Sequence, residues 1–177
     1  TAPTSSGSFI VKGGFNNFSG GVFNHNNGTV NLITRYKNQS SGVPSARILI
    51  QGGPGDGRNF YNLTKTFKRG IYLASDIEIE NDLIIADSGL IRANDSSNSF
   101  DITVGGDIDI DRSGNFQAFS GKVILNGSSA QTVKSAASFK HLQISNSDVS
   151  LLASATVTGT LTIDSGATLD INGNNLT

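Results

Sequence analysis

The sequence predicts an all-β chain wound as a parallel β-solenoid, and three observations carry that prediction. Apolar residues alternate with polar ones in short runs: Ile77, Ile79, Leu83, Ile85; then Ile102, Val104, Ile108, Ile110; then Ala155, Val157, Leu161, Ile163. Period two places such side chains on one face of a strand. The runs also repeat, with residues 77–91 matching 102–116 at a shift of about 25 residues, the length of a solenoid repeat. Helix formers are scarce, while Gly, Ser, Thr and Asn make up roughly two-fifths of the chain, a composition of strands and turns.

From the N-terminus, residues 1–8 read as a Ser/Thr/Pro-rich lead, and 9–177 as a single solenoid domain. The segment "FIVKGGF" (9–15) repeats the first half of the unit. The stretch of about 34–57, with "TRYKNQSSGVPSA" and "GGPGDG", reads as a loop region extruded from the coil. In the clearest repeat Ile77 meets Ile102, Ile79 meets Val104, Leu83 meets Ile108 and Ile85 meets Ile110. Ser88-Gly89 then meets Ser113-Gly114, and Ile91 meets Phe116. Residues 155–166 repeat the pattern with one residue deleted. A longer similarity overlies this one: "ARILIQGG" with "GKVILNGS", and "RNFYNLT" with "ASFKHLQ". The expectation is roughly seven coils stacked about 4.8 Å apart, a rod of about 30 Å. Inward residues form apolar ladders, and Gly and Asn suit the corners. The alternative fold is a β-sandwich of hairpins, for which Asn27-Gly28, Asn126-Gly127 and Asn172-Gly173 would be turns.

Composition narrows the function. The chain has 177 residues, no Cys, 15% charged residues and a net charge of −1. That excludes a disulfide framework and a zinc-thiolate site, and it argues against a nucleic-acid surface. No apolar run approaches the roughly 20 residues of a membrane-spanning helix.

The acidic strand positions are the metal candidates. Asp76, Asp82, Asp101, Asp107 and Asp109 fall on neighbouring rungs, and stacked carboxylates about 5 Å apart repel unless a cation such as Ca²⁺ joins them. The other reading is a solvated face with basic neighbours, and no cofactor is expected. No catalytic residue is assigned. His25 lies in the polar turn "NHNNG", and His141 reads as an outward coil residue. Candidate surface contacts are Arg35, Tyr36 and Lys37 in the loop region, and Tyr61, Lys65, Lys68, Arg69 and Tyr72 as a basic, aromatic patch suited to an acidic glycan. Thr156, Thr158, Thr160 and Thr162 form a Thr run on one rung, but earlier rungs carry Glu78, Glu80 and Asp82 there.

The runs "GKVILNGSSAQTV", "SFKHLQISNS", "VTGTLTIDSGATLDINGNNLT" and "ITVGGDI" resemble the β-strand repeats of long bacterial surface and secreted proteins. These are adhesin-like proteins of the right-handed parallel β-helix type. The resemblance implies right-handed coiling, extracellular or cell-surface location, and an adhesive or fibre-building role without enzymatic activity. The alternative function is a glycan-binding or glycan-degrading β-helix, although the runs Asn-Thr-Asp, Asp-Asp and Gly-His-Gly of pectin-degrading relatives are missing from this sequence. Expected partners are neighbouring repeats of the same chain or other copies, head to tail, and surface glycans or other cell-surface proteins. Nucleic acid and membrane insertion are not expected. The C-terminal "LDINGNNLT" reads as an unfinished rung, and "SFIVKGGF" resembles its continuation. A piece of a longer array and a head-to-tail filament are the two explanations.

Overall fold

The computed structural model describes residues 7–17, 20–33, 49–53, 55, 58–66, 70–86, 90–92, 99–111, 116–117 and 121–177. Among them every regular element is a strand, and every strand pairing is parallel. The chain is a β-solenoid of about six turns, with stacked strands about 21 residues apart.

The strands follow one another in a fixed order. The first passes are β1 (Ser8–Val11) and β2 (Phe15–Asn16), β3 (Thr29–Ile33) and β4 (Leu49–Gln51), then β5 (Asn62–Thr66) and β6 (Gly70–Leu73). Next come β7 (Ile77–Ile79), β8 (Leu83–Ile85) and β9 (Leu90–Arg92), then β10 (Ile102–Val104), β11 (Ile108–Ile110) and β12 (Phe116–Gln117). The C-terminal passes are β13 (Lys122–Leu125), β14 (Gln131–Val133) and β15 (Ala137–Phe139), then β16 (His141–Ile144), β17 (Val149–Leu151) and β18 (Ala155–Val157), and last β19 (Leu161–Ile163) and β20 (Leu169–Asp170).

Three faces result. The first is the eight-stranded sheet β1-β3-β5-β8-β11-β14-β17-β20. The second is β7-β10-β13-β16-β19, and the third is β2-β4-β6-β9-β12, which β15 and β18 continue. A parallel bridge between Phe60 and Ile79 extends the second face by one position. The hairpin alternative is overturned, because consecutive strands lie in different sheets. Asn126-Gly127 sits between β13 and β14, which belong to two faces. Asn26, Asn27 and Asn172 do adopt positive φ of 46°, 55° and 55°, the corner conformation that Asn tolerates.

Alternation drives the winding. In the middle turns the inward positions of a strand are buried and the outward ones partly exposed, as in β7, β10, β11, β14 and β15. Stacking in register makes continuous ladders, Ile77–Ile102–Val123–Leu142 and Ile79–Val104–Leu125–Ile144. Each such side chain is removed from water and contributes about 1.5–3 kcal/mol. At the N-terminal end Phe9, Phe15, Phe23 and Phe60 pack together, Phe15 lying 5.1 Å from both Phe23 and Phe60.

The spacing differs from a constant 25. It is 25 between β7 and β10 and between β8 and β11, but Val123 follows Ile102 by 21 residues and Leu142 follows Val123 by 19. The corners absorb these differences. Between β13 and β14 the chain is longer than between β10 and β11, and Gln131 folds inward to occupy the extra space. Its Nε2 donates to Val104 O and Gly106 O, and its Oε1 accepts from Gly127 N and Asn146 Nδ2. Gly127 itself permits close stacking, since a Cβ there would overlap Gly105 O. The stretch read as an extruded loop contains β4, whose Ile50 is fully buried. Residues 34–48, 54, 56 and 57 of that stretch lie outside the described residues.

Candidate functional site

The chemistry-bearing side chains concentrate at corners and on outward strand positions. At the start of the second face, Asp76 Oδ1 accepts the Asp101 N–H at 2.8 Å, and Asp101 Oδ1 accepts the Lys122 N–H at 2.8 Å. At the start of the first face, Asn62 Oδ1 accepts from Asp82 N at 3.1 Å, Asp82 Oδ1 from Asp107 N at 2.8 Å, and Asp107 Oδ1 from Thr132 N at 2.8 Å. Each side chain therefore holds a main-chain donor one turn further along the axis. Short polar side chains beside a strand start are suited to this, because they compete well for nearby backbone groups.

The five candidate aspartates fall into separate columns. Asp76 and Asp101 stand in one corner column, Asp82 and Asp107 in another, and Asp109 projects from β11 to accept the Ser135 hydroxyl at 2.6 Å. Their mutual repulsion is relieved by N–H donors and by Lys134, whose Nζ lies 2.7 Å from Asp107 Oδ2. Burial pushes the Asp107 carboxyl up, but the hydrogen bonds from Lys134 and Thr132 outweigh it, and the net shift is downward. Lys134 is raised in turn by its hydrogen bond to Asp107. Among the described residues, no three His, Cys, Asp or Glu side chains converge as metal ligands.

The basic, aromatic patch is not one surface. Arg35, Tyr36, Lys37, Lys68 and Arg69 lie outside the described residues. Tyr61 precedes β5 and stacks on His25 with ring centroids 5.7 Å apart. Tyr72 lies on β6, on the third face, where it accepts a 2.8 Å hydrogen bond from Arg92 and carries that guanidinium 5.3 Å from its ring centre. Lys65 is not a surface contact at all. It is 0% exposed, because Leu63 and Lys65 share the inward phase of β5 and Lys65 fills the ladder position between Leu32 and Ile85. Its Nζ donates to the Thr66 carbonyl, and desolvation lowers its pKa to about 8.

The two histidines are placed by the same capping chemistry. His25 Nδ1 accepts from Asn27 N at 3.1 Å, so Nε2 carries the proton toward Glu80 Oε1 at 3.2 Å. Asn59 Nδ2 donates to the same oxygen at 2.6 Å. Both ring nitrogens are thus engaged, one by the main chain and one by a carboxylate. His141 Nδ1 accepts from Thr160 N at 3.1 Å.

Sequence reasoning missed the Tyr72–Arg92 pair and the His25–Glu80–Asn59 cluster. Tyr72 and Arg92 are register partners 20 residues apart, so alignment at that shorter spacing would have exposed the pair. The His25–Glu80 contact spans 55 residues and left no local signal. The chain matches no protein-family model, no curated protein and no solved structure.

Proposed function

We propose that the chain is a non-enzymatic structural module, a stiff rod in a bacterial extracellular or cell-surface protein, serving adhesion or fibre building. The observation that carries this reading is the use made of the polar side chains. Among the described residues, aspartates, histidines and buried amides cap main-chain donors and acceptors between turns instead of converging on one reacting point. Such capping ties each turn to the next and stiffens the stack. The outward positions of all three faces remain for contact with partners, which would be neighbouring repeats, other copies, or cell-surface proteins and glycans. Secretion and bacterial origin come from the sequence resemblance.

The second reading is a glycan-binding or glycan-degrading solenoid. It is favoured by two outward aromatic pairs, Tyr61 with His25 and Tyr72 with Arg92, since aromatic faces and guanidinium groups suit sugars and their carboxylates. The test is incubation with anionic and neutral polysaccharides, followed by reducing-end and unsaturated-product assays. No cleavage is expected, and release of new chain ends would overturn the structural reading. Saturable binding at millimolar glycan without cleavage would keep the rod and add an adhesive ligand.

A further inference from the structure

We propose that Asn126 is a latent modification site, an Asn-Gly step that would deamidate and is kept from doing so by the Gln131 side chain. The inference does not depend on the structural-module reading. In deamidation the glycine main-chain nitrogen gives its proton to a solvent base and attacks the asparagine Cγ. A C–N bond forms, the Cγ–Nδ2 bond breaks, and ammonia leaves with a proton from solvent. Water then opens the five-membered succinimide to aspartate or to isoaspartate, whose main chain runs through the side chain and is longer by a methylene. Glycine favours the first step because it has no side chain to hinder the closure. The chain holds three such steps, Asn27-Gly28, Asn126-Gly127 and Asn172-Gly173. Asn126 is exposed at the corner between β13 and β14, so solvent base and water reach it.

Two features hold the attacking nitrogen back. The Gly127 N–H donates to Gln131 Oε1 at 2.7 Å. That oxygen is fixed, because Gln131 is 1% exposed, its Nε2 donates to Val104 O at 3.0 Å and Gly106 O at 2.6 Å, and its Oε1 also accepts from Asn146 Nδ2 at 2.9 Å. A proton shared with a buried amide oxygen is closed to base, since the anion left behind would face that oxygen without solvation. The second feature is crowding. A Cβ on Gly127 would overlap Gly105 O and lie 2.8 Å from Gln131 Cδ, and Asn126 N is tied to Val104 O at 3.2 Å. The nitrogen therefore cannot swing toward Cγ without unstacking the corner. The Asn27-Gly28 step is held differently, since Gly28 N donates to the His25 carbonyl at 2.8 Å within its own turn. At Gly127 the acceptor is a side chain, so one substitution removes it. Isoaspartate would lengthen a main chain already stacked against Gly105 O, so modification of this corner unseats one turn from the next.

The test is incubation of the folded chain at pH 8 and 37 °C, with the tryptic peptide 123–134 read by electron-transfer mass spectrometry for a gain of about 1 Da at Asn126. The same chain in 6 M guanidinium gives the unguarded rate. Folded wild type is expected to deamidate at Asn126 at least about tenfold more slowly. Its Gly127 amide should exchange with deuterium, followed by NMR, at least about a hundredfold more slowly than in the denatured chain. Gln131→Leu, checked for folding by circular dichroism, should bring Asn126 to within about threefold of the denatured rate. Leu83→Ala removes a buried side chain elsewhere in the core and leaves Gln131 in place, so Asn126 should stay protected. A folded wild type that deamidates at the denatured rate overturns the proposal, as does a Gly127 amide that exchanges freely. So does a folded Gln131→Leu with the wild-type rate, or a Leu83→Ala as reactive as Gln131→Leu, which would mark general loosening. If Gln131→Leu does not fold, the wild-type deamidation and exchange rates decide by themselves.

Discussion

Replacing Lys65 by Met should stabilise the protein at neutral pH. The lysine fills an inward ladder position between Leu32 and Ile85 and is fully buried. Desolvation lowers its pKa from 10.5 to about 8. At about 1.4 kcal/mol per pH unit, keeping the ammonium inside costs about 3 kcal/mol below pH 8. Methionine has a similar length and no charge, and it forfeits the hydrogen bond to the Thr66 carbonyl, worth about 1 kcal/mol. The net gain expected at pH 7 is about 2 kcal/mol, or roughly 4–8 °C in Tm for a chain of this size. The sign with pH follows from linkage. Between about 8 and 10.5 the unfolded chain binds the proton and the folded chain does not, so wild-type stability rises with pH across that window. The advantage of Lys65→Met should therefore shrink as pH rises, vanish at about pH 10 and become a deficit of about 1 kcal/mol by about pH 11, where only the lost hydrogen bond remains. Urea unfolding of both proteins at pH 7, 9 and 10.5 measures it. A variant less stable than wild type at pH 7, or a difference that does not change with pH, would refute the argument from burial.

Other expectations concern the corners. Gly127→Ala should destabilise by about 3 kcal/mol or more, because the new methyl overlaps the Gly105 carbonyl, while Gly13→Ala, with open space around it, should be nearly neutral; thermal melts distinguish the two. Gln131→Leu keeps the volume but leaves Val104 O, Gly106 O and Gly127 N without their side-chain partner, so a loss of about 3 kcal/mol is expected in urea titration. Asp107 has a lowered pKa, so its contribution is present above the ordinary carboxylate range and is lost as pH falls through the folded-state value. Asp107→Asn should flatten the acid limb of the Tm–pH curve between pH 5 and 2. Because the aspartates already hold main-chain donors, millimolar Ca²⁺ should raise Tm by less than about 1 °C, whereas occupancy of a real site at a hundred times its Kd would add about 2.7 kcal/mol; calorimetry with Ca²⁺ and with chelator measures the difference.

The winding was legible in the sequence because alternation is a local property. Ile77, Ile79, Ile102 and Val104 announce their inward phase within three residues, and matching them at a 25-residue shift gave the true register of β7 on β10 and β8 on β11. The same reasoning failed where a polar residue takes the inward phase. Lys65 in "NLTKT" looks like a surface cation, and only the stacked rungs on either side put it in the core. Coil length was misjudged for a related reason. Corners vary in length because single side chains such as Gln131 and Asn146 can satisfy the backbone of a longer turn, and nothing in the local pattern counts those residues.

The sequence by itself determined that the chain is β and which apolar side chains face inward, both from neighbours two residues apart, and that it repeats, from matches about 25 residues apart. Tertiary structure decided what the polar side chains do. Whether Asp82 meets a cation or the Asp107 N–H, and whether Tyr72 belongs with Lys65 or with Arg92, depends on which rung lies above which. That stacking is set by contacts between residues 20 to 25 positions apart, beyond the reach of any local pattern.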